Sequence, residues 1–346
     1  MHSGGNGRMN SADSLRGRRV VVTGGTAGVG RATALRLAAA GAKVVVLARD
    51  LAALDGLVEE AAAEAGEVVA IGCDVADSAA VLDAANRAAE VFGGIDVWIN
   101  DAMATVFARV DEITPEEFQR ITAVCYLGLV HGTMAALRHM KPNNSGVIVQ
   151  IGSALAYRGI PLQAAYCGAK HAARGFTDGL RAELLHDGSG IALTTVHLPG
   201  MNTPQFEWAR SRYSRRQRPA GRVYQPEVAA RAVERAILRP AREYWVSGQT
   251  AAMIIANMAA PSIADRYLAR TAVEGQFMAE HAAPGREDNL FTPISGRGLH
   301  RSHGAFSAEA RPEAFTLAAV PTVLGVAAVV LLAAAGLGFA LGAALG

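Results

Sequence analysis

Short runs of β-branched apolar residues alternate with longer alanine-rich stretches along most of the chain. Helical periodicity lies between the runs, and strands that are apolar on both faces and separated by amphipathic helices form parallel sheets covered on both sides. The pattern therefore predicts an α/β fold built on a doubly wound parallel sheet. The predicted strands are Val20–Thr23, Lys43–Ala48, Glu67–Cys73, Val97–Asn100, Val147–Ser153 and Ala192–His197, and the first helices are Gly30–Ala40, Leu51–Ala65 and Ala79–Phe92.

A further helix start is visible at Thr114, which is followed by Pro115 and then, at the third position, by Glu117. This spacing is a capping box, with proline at the first helical position, where its missing N–H costs little. The pattern predicts a long helix from here to about Met140.

The end of the chain carries no charge, because residues 314–346 form a run of 33 uncharged residues. If Leu317–Leu345 is helical, it is about 43 Å long at 1.5 Å per residue, and a bilayer core needs about 30 Å. The alternative is a buried hairpin of an alanine-rich core, but the run has no polar face for water. We predict one terminal transmembrane helix at 315–345. Arginines precede it, so the positive-inside rule keeps the catalytic bulk on the cytoplasmic side.

Composition narrows the class of protein. Hydrophobic residues make up 51% of the 346 residues, which is enough for a sizeable core and excludes wholesale disorder. The 33 basic and 31 acidic residues nearly balance, so we expect no nucleic-acid partner. The three cysteines form no CxxC pair, and His300 and His303 lack nearby acidic or cysteine partners in the sequence. We therefore expect no metal site.

Shifts in composition divide the chain into five parts. The polar first residues lack the apolar run of a secretory signal, and a stretch rich in Gly, Arg, His and Ser precedes the uncharged terminus. The predicted parts are a flexible polar tail at 1–16, the α/β domain at 17–250, a C-terminal helical extension at 251–284, a linker at 285–314 and the transmembrane helix at 315–345.

The first predicted strand runs directly into a glycine-rich turn that a helix follows. Glycine permits a sharp turn and close backbone approach, and the helix N-terminus offers free N–H groups to a diphosphate. The spacing T-G-x-x-x-G-x-G resembles the classical short-chain dehydrogenase/reductase family, which implies a Rossmann fold. From this turn we assign to the cofactor Thr23, Gly24, Thr26, Gly28, Val29 and Gly30.

The end of the second strand indicates which dinucleotide is bound. Such folds usually place an acid there to hold the ribose 2′-hydroxyl of NAD, but Ala48 takes that place and Arg49 follows it. A guanidinium suits a 2′-phosphate, so we predict NADP(H), with NADPH as the reduced form. The alternative is a surface arginine beside Asp50.

Three polar residues have the spacing of a catalytic site. Ser153 closes the fifth strand, Tyr166 comes thirteen residues later, and Lys170 lies four residues beyond the tyrosine, on the same helix face. A cation near a phenol lowers its pKa, as a general acid–base near neutral pH needs. We expect Ser153 to orient the substrate oxygen. Tyr157 does not fit this role, because Pro161 lies at its fourth position.

The resemblance implies further contacts with the cofactor. Tyr166 and Lys170 are expected at the nicotinamide ribose. The resemblance assigns Asp74 and Val75 to the adenine, Asn100 to bracing the sheet, Ala102 to the adenosine ribose, and Pro199, Gly200 and Thr203 to the nicotinamide amide.

Several positions depart from the family pattern. Asp101 and Met103 do not match the family's Asn-Asn-Ala-Gly stretch. Cys125 stands where the family has an asparagine that bends a helix and holds a water linking the lysine to solvent. The cysteine thiol is only a weak hydrogen-bond donor and acceptor. Either protons reach the lysine by another, slower route, or catalysis is lost while cofactor binding remains. Because Ser153, Tyr166 and Lys170 are intact, we favour a working enzyme.

The combined signals predict an NADP(H)-dependent oxidoreductase that moves a hydride between nicotinamide and a carbonyl or secondary alcohol carbon. We expect a lipophilic small-molecule substrate. The alternative is a membrane-tethered dinucleotide-binding protein with little or no turnover. The predicted membrane contacts are the terminal helix and a substrate lid with six arginines within residues 210–222. Analogy with the family implies a homodimer or homotetramer.

Overall fold

The computed structural model describes residues 15–283, 285–294, 298–320 and 322–325. In chain order the strands are β1 (Arg19–Thr23), β2 (Lys43–Ala48), β3 (Glu67–Gly72), β4 (Val97–Asn100), β5 (Val106–Phe107), β6 (Gly146–Ser153), β7 (Ile191–Leu198), β8 (Gly200–Met201), β9 (Arg210–Ser211), β10 (Arg215–Gln217), β11 (Val223–Tyr224), β12 (Glu243–Val246), β13 (Phe277–His281) and β14 (Thr316–Ala318). The helices are α1 (Gly28–Ala39), α2 (Leu51–Ala63), α3 (Ser78–Phe92), α4 (Pro115–Thr122), α5 (Gly128–Met140), α6 (Ala164–His186), α7 (Gln205–Trp208), α8 (Pro226–Leu238), α9 (Gly248–Ala259) and α10 (Pro261–Thr271).

The main sheet has eight strands in the order β14-β12-β7-β6-β4-β1-β2-β3. Neighbours from β12 to β3 pair in parallel, and β14 adds to the edge antiparallel to β12. The predicted parallel sheet is confirmed, and each predicted strand is present to within a residue at its ends. The strand order reverses between β1 and β4, which opens a crevice at the carboxyl ends of the strands.

Two hydrophobic cores cover the two faces of the sheet. Alternate residues of a strand point to opposite faces, so Val20 and Val22 pack in one core while Val21 packs in the other. The first core contains α1, α2 and α8, and the second contains α3, α5 and α6. Burial on both sides explains why the central strands read as continuous apolar runs.

The long helical stretch begins where its capping box predicts. The Thr114 hydroxyl accepts a hydrogen bond from the N–H of Glu117, whose carboxylate accepts one from the N–H of Thr114. A π-helical turn at Ala123–Leu127 interrupts the stretch. Among the described residues, Pro115–Asn143 is the one stretch long and apolar enough to cross a membrane, and half of its most apolar window is buried in the fold.

The C-terminal part differs from the prediction of a linker followed by a helix. Residues 285–294 and 298–311, which we call the C-terminal strap, fold against the α/β domain, and Phe306 is buried between Phe107 and Phe206. The first residues of the predicted transmembrane helix form a strand instead, because Thr316–Ala318 is β14. Helix follows from Ala319, and residues 326–346 lie outside the described part of the chain. Local periodicity in the sequence does not predict the long-range contacts of the strap.

Two other predicted boundaries shift as well. Residues 1–14 of the predicted tail lie outside the described part, but Leu15 is fully buried in the first core. The helical extension contains α9 and α10 and then ends in a strand, β13, which pairs antiparallel with β10.

Candidate active site

A cleft of about 1030 Å³ opens at the carboxyl ends of the central strands. This is the crevice where open parallel sheets bind their ligands. Most residues predicted for the site line it, namely Gly24, Thr26, Gly28, Val29, Arg49, Asp74, Val75, Ala102, Ser153, Tyr166, Lys170, Pro199, Gly200 and Thr203.

Thr23 and Asn100 lie behind the wall of the cleft and shape it. The Thr23 hydroxyl accepts hydrogen bonds from the N–H groups of Asp101 and Ala102, at 3.1 and 3.3 Å. The buried Asn100 amide donates to the Gln150 side chain at 2.9 Å and so ties β4 to β6. These contacts join the neighbouring strand ends that form the floor of the site.

The glycine-rich turn has the backbone that its sequence predicts. Gly24 and Gly28 have φ of +73° and +57°, a backbone conformation that residues with a Cβ rarely adopt. A Cβ on Gly28 would lie 2.9 Å from the Thr203 methyl, so the turn and the Thr203 loop meet closely. Gly30 follows in the first turn of α1, packed against the start of the glycine turn.

The C-terminal strap crosses the adenosine end of the cleft. The Arg49 guanidinium donates to the carbonyl oxygens of Asn289 and Phe291, at 2.6 and 3.0 Å. The Gly28 N–H donates to the Arg301 carbonyl at 3.0 Å. A donor at the helix N-terminus, which the sequence assigned to a diphosphate, therefore contacts the strap in this structure.

The three predicted catalytic residues meet in the middle of the cleft. Ser153 stands at the end of β6, and Tyr166 and Lys170 lie one turn apart on α6. The Ser153 hydroxyl accepts from the N–H of Leu155 at 3.1 Å and forms a hydrogen bond with the Tyr166 phenol. The Lys170 ammonium lies 5.7 Å from the centre of the Tyr166 ring and donates to the Ile151 carbonyl at 2.7 Å.

Known proteins share both the sequence and this geometry. Residues 18–213 match the protein family described as short chain dehydrogenase. The uncharacterized oxidoreductase YxnA of Bacillus subtilis (strain 168) is 30% identical over 290 residues, which cover 83% of this chain and 80% of the relative. The chain belongs to the short-chain dehydrogenase family.

Two solved structures of such dehydrogenases show the same fold. A metagenomic short-chain oxidoreductase in complex with NADP is 26% identical, with a TM-score of 0.56 over 65% of this chain and 93% of its own. A short chain dehydrogenase from Burkholderia cenocepacia J2315 in complex with NADP is 29% identical, with a TM-score of 0.54 over 64% of this chain and 91% of its own. The protein is thus an oxidoreductase with a Rossmann-like parallel sheet, from a family that binds nicotinamide cofactors.

The electrostatics of the dehydrogenase site differ from the sequence-based expectation. Burial raises the pKa of Tyr166, and the neighbouring Cys125, Cys167 and Asp101 raise it further. Burial also lowers the pKa of Lys170. The shift of the phenol pKa is thus opposite in direction to the lowering expected from the ammonium, because burial disfavours the charged phenolate. Tyr166 therefore keeps its proton at neutral pH.

Cys125 is structural in this dehydrogenase. It lies in the π-helical turn, where its sulfur accepts from the N–H of Ala104 at 3.2 Å and donates to the carbonyl of the same residue at 3.1 Å. Burial raises the pKa of the thiol, which keeps it neutral. The side chain therefore ties the helix to the loop after β4.

Several residues of the site escaped the sequence-based prediction. Asp101 accepts a hydrogen bond from the Gly30 N–H, and burial raises its pKa to about 7 against the opposing effect of Lys170. His300 lies 3.2 Å from the Asp50 carboxylate and 5.8 Å from the Trp208 ring. The sequence shows that Asp101 does not match the family motif. No local pattern in the sequence, however, indicates the long-range partner of His300.

Five of the six arginines of the predicted lid bind carboxylates within the fold, which offsets part of the segment's positive charge. The pairs are Arg210 with Glu117 and Asp288, Arg212 with Glu117, Arg215 with Glu274, Arg216 with Glu280 and Arg218 with Glu309. The contact of this lid with a membrane stays a prediction.

His303 also has an acidic partner, because its Nε2 lies 3.0 Å from Glu227. The two histidines of the strap were expected to be solvated, and each instead forms a contact with a carboxylate. Within the described ranges no cluster of three or more His, Cys, Asp or Glu could hold a metal ion.

Proposed function

We propose that the protein is an NADP(H)-dependent oxidoreductase that interconverts a lipophilic ketone and the matching secondary alcohol. The observation that carries the proposal is the convergence of Ser153, Tyr166 and Lys170 on one cleft, which the glycine-rich turn also lines. Both a phosphate-binding turn and a proton donor are needed for hydride transfer to a carbonyl, and here they share one crevice.

The residues of the cleft fit a dinucleotide. The cleft is long enough to pass from Arg49 and Asp74 at the adenosine end to Thr203 and Lys170 at the catalytic end, and positive φ at the glycine turn permits close approach. When bound, the nicotinamide supplies the hydride acceptor or donor. Arg49 and the turn would hold its phosphates, and Thr203 the carboxamide.

The chain itself handles the proton and the substrate oxygen. Ser153 donates a hydrogen bond to the carbonyl oxygen and holds it against Tyr166. The phenol, whose raised pKa keeps it protonated at neutral pH, gives its proton to that oxygen as the carbonyl carbon is reduced. Lys170 lies next to the ring and would hold the ribose hydroxyls of the cofactor. The protonated phenol is the form that the reduction step requires.

The preference for NADP(H) rests on Arg49 and on the NADP complexes of two relatives. In the structure, the guanidinium donates to strap carbonyls, so a 2′-phosphate competes with the carbonyls of Asn289 and Phe291 for these donors. Arg49→Ala should therefore weaken NADPH binding about tenfold or more while NADH binding changes little. Equal losses for both nucleotides would contradict the assignment.

The far end of the cleft supports a lipophilic substrate. Helices α9 and α10 line it with Met253, Ala256, Ile263 and Leu268, and Tyr267 lies at the rim. Ile263 and Tyr267 are each about two-thirds exposed, at 66% and 65%. Large apolar side chains at the mouth of a cleft suit an apolar ligand that leaves water as it enters.

The membrane association remains part of the proposal. The uncharged terminal residues would anchor the protein with its catalytic domain on the cytoplasmic side, next to the source of an apolar substrate. Assembly as a homodimer or homotetramer is proposed by analogy with the family.

The deciding experiment uses the full chain in detergent. NADPH and NADH are titrated by fluorescence, and a panel of lipophilic and polar ketones is followed by the loss of NADPH absorbance. We expect tighter NADPH binding, turnover of apolar ketones, and loss of turnover by a factor of about 100 or more in Tyr166→Phe with nucleotide affinity unchanged. Absence of binding by either nucleotide would overturn the cofactor assignment.

The second candidate function is a membrane-tethered dinucleotide-binding protein without turnover. Cys125 favours it, because the thiol is committed to Ala104 and does not replace the asparagine of the family. This candidate predicts tight NADPH binding and no turnover across the whole panel.

A further inference from the structure

A buried polar cluster lies directly behind Ser153, on the side away from the cleft. His197 of β7 and Glu243 of β12 are 1% and 5% exposed. The Tyr157 hydroxyl donates to the Glu243 carboxylate, and the indole N–H of Trp245 lies 3.4 Å from the same oxygen. The protonation and hydride steps above use none of these groups.

His197 connects the cluster to the catalytic serine. Its Nδ1 lies 3.0 Å from the Ser153 carbonyl, and its Nε2 lies 3.3 Å from the Glu243 carboxylate. A carbonyl only accepts, so Nδ1 of His197 donates its hydrogen to the Ser153 carbonyl. The contact of Nε2 with Glu243 does not have hydrogen-bond geometry. Burial would raise the pKa of Glu243, but contact with His197 and the Tyr157 hydroxyl outweighs it and holds that pKa at about 2. The donor toward Ser153 is thus set by the geometry of the cluster.

Two details show that the contact with Ser153 is built into the backbone. A Cβ on Gly152 would lie 2.7 Å from Nδ1 of His197, so the ring packs flat against the glycine that precedes the serine. Ser153 pairs with Leu198 at the end of the β6–β7 ladder, and the next residue, Pro199, has no N–H to donate. The Nδ1–H of His197 supplies a donor where the ladder has none.

The outer side of the cluster is also fixed. The Arg174 guanidinium lies 3.9 Å from the centre of the Tyr157 ring, and Arg242 lies 3.7 Å from the second oxygen of Glu243. The Tyr157 ring meets His197 edge to face at 5.1 Å. A histidine ring packed from both sides has little freedom to move, and neither does the serine carbonyl that accepts its hydrogen bond.

We propose that His197 is a positioning residue of the active site: clamped by Glu243 and Tyr157, it fixes the backbone of Ser153 and so directs the serine hydroxyl at Tyr166 and the substrate oxygen. The inference rests on the proposed reductase function. Small displacements of a hydrogen-bonding group in an active site cost large factors in rate, so this clamp should be visible in kcat.

Two matched variants separate positioning from packing. The amide nitrogen of an asparagine falls near Nδ1 of the imidazole, and that of a glutamine near Nε2. His197→Asn thus keeps a donor to the Ser153 carbonyl, and His197→Gln loses it, while both remove the imidazole ring from the cluster. We expect similar losses of Tm for the two, kcat within about threefold of the wild type for His197→Asn, and a loss of about tenfold or more for His197→Gln. KM for NADPH should stay unchanged in both.

The same substitutions in a Ser153→Ala background complete the test. If His197 acts through the serine hydroxyl, His197→Gln causes no further loss of kcat once that hydroxyl is gone. Equal kcat in the two histidine variants, or losses that add in the Ser153→Ala background, would overturn the positioning role. Absence of turnover in the wild type, measured in the same assay, overturns the reductase proposal and this inference with it.

Discussion

At the residue scale, two acids of the protein have pKa values shifted in opposite directions. Burial raises the pKa of Asp101 to about 7, since Lys170 and the Gly30 N–H only partly offset it. Glu243, with His197 and Tyr157 around it, has a pKa of about 2. Both side chains are buried, so the difference lies in their partners.

Asp101 should make stability fall as pH rises. The folded protein holds the Asp101 proton up to about pH 7, whereas the unfolded chain releases it near pH 4, so the folded state loses stability across this interval. Asp101→Asn removes the ionisation, and its Tm should exceed that of the wild type at pH 8 but match it near pH 4.5. Thermal melts over this range check the prediction, and parallel curves for the two proteins would refute it.

Restoring the asparagine of the family should raise the rate. Cys125→Asn offers a donor and an acceptor for the two contacts with Ala104 and can also bind water toward Lys170. We expect kcat to rise by about threefold to tenfold with KM for NADPH unchanged. Cys125→Ser is the matched control, since its short hydroxyl keeps the contacts with Ala104 only. An equal rate in both variants would show that this position does not limit turnover.

At the element scale, the strap is the feature that most changes the site. It binds Arg49 through two carbonyls, and Arg120 donates to the Leu290 carbonyl at 3.0 Å. Leu290 is fully buried in the second core, so the strap has an apolar anchor as well. Because its Arg301 carbonyl accepts from the Gly28 N–H, the strap has to shift for that donor to reach a diphosphate.

Loosening the anchor should speed cofactor exchange. Leu290→Ala removes buried apolar contacts worth about 2–4 kcal/mol and weakens strap docking. We expect the association and dissociation rates of NADPH to rise by about tenfold, measured by stopped-flow fluorescence. Leu185→Ala, at a position 75% exposed on α6, is the control and should leave both rates unchanged. Unchanged rates in Leu290→Ala would mean that the strap does not gate the cleft.

At the scale of the whole molecule, the first residues of the uncharged terminus form β14, which completes the edge of the sheet. This strand pairs with β12, and Leu317 and Ala319 pack near Trp245. Because β12 carries Glu243, the terminal segment and the buried polar cluster belong to one neighbouring set of contacts.

Two truncations should separate folding from anchoring. A chain ending at Ala318 keeps β14, whereas one ending at Phe315 exposes the edge of β12 and should lose several degrees of Tm. We expect the first to retain NADPH binding and to leave the membrane fraction for the supernatant, while the full chain stays with membranes after a carbonate wash. A full chain that washes off would contradict the proposed anchor.

The sequence by itself determined the sheet, the phosphate-binding turn and the membership of Ser153, Tyr166 and Lys170 in one site. Each of these depends on local signals: a period of two or of 3.6, positive φ that glycine permits, and a four-residue spacing that places two side chains on one helix face. Such signals need no knowledge of distant partners.

Only the tertiary structure decided the electrostatic surroundings of the site residues and which segment of the chain covers the site. The partner carbonyls of Arg49 lie more than 200 positions away, and the carboxylates that pair with the arginine-rich segment come from several elements. The raised pKa of Tyr166 depends on burial, and the contacts of His197 depend on strands distant in sequence, and only the packed fold produces both. Desolvation acts through three-dimensional surroundings, and no spacing along the chain encodes it.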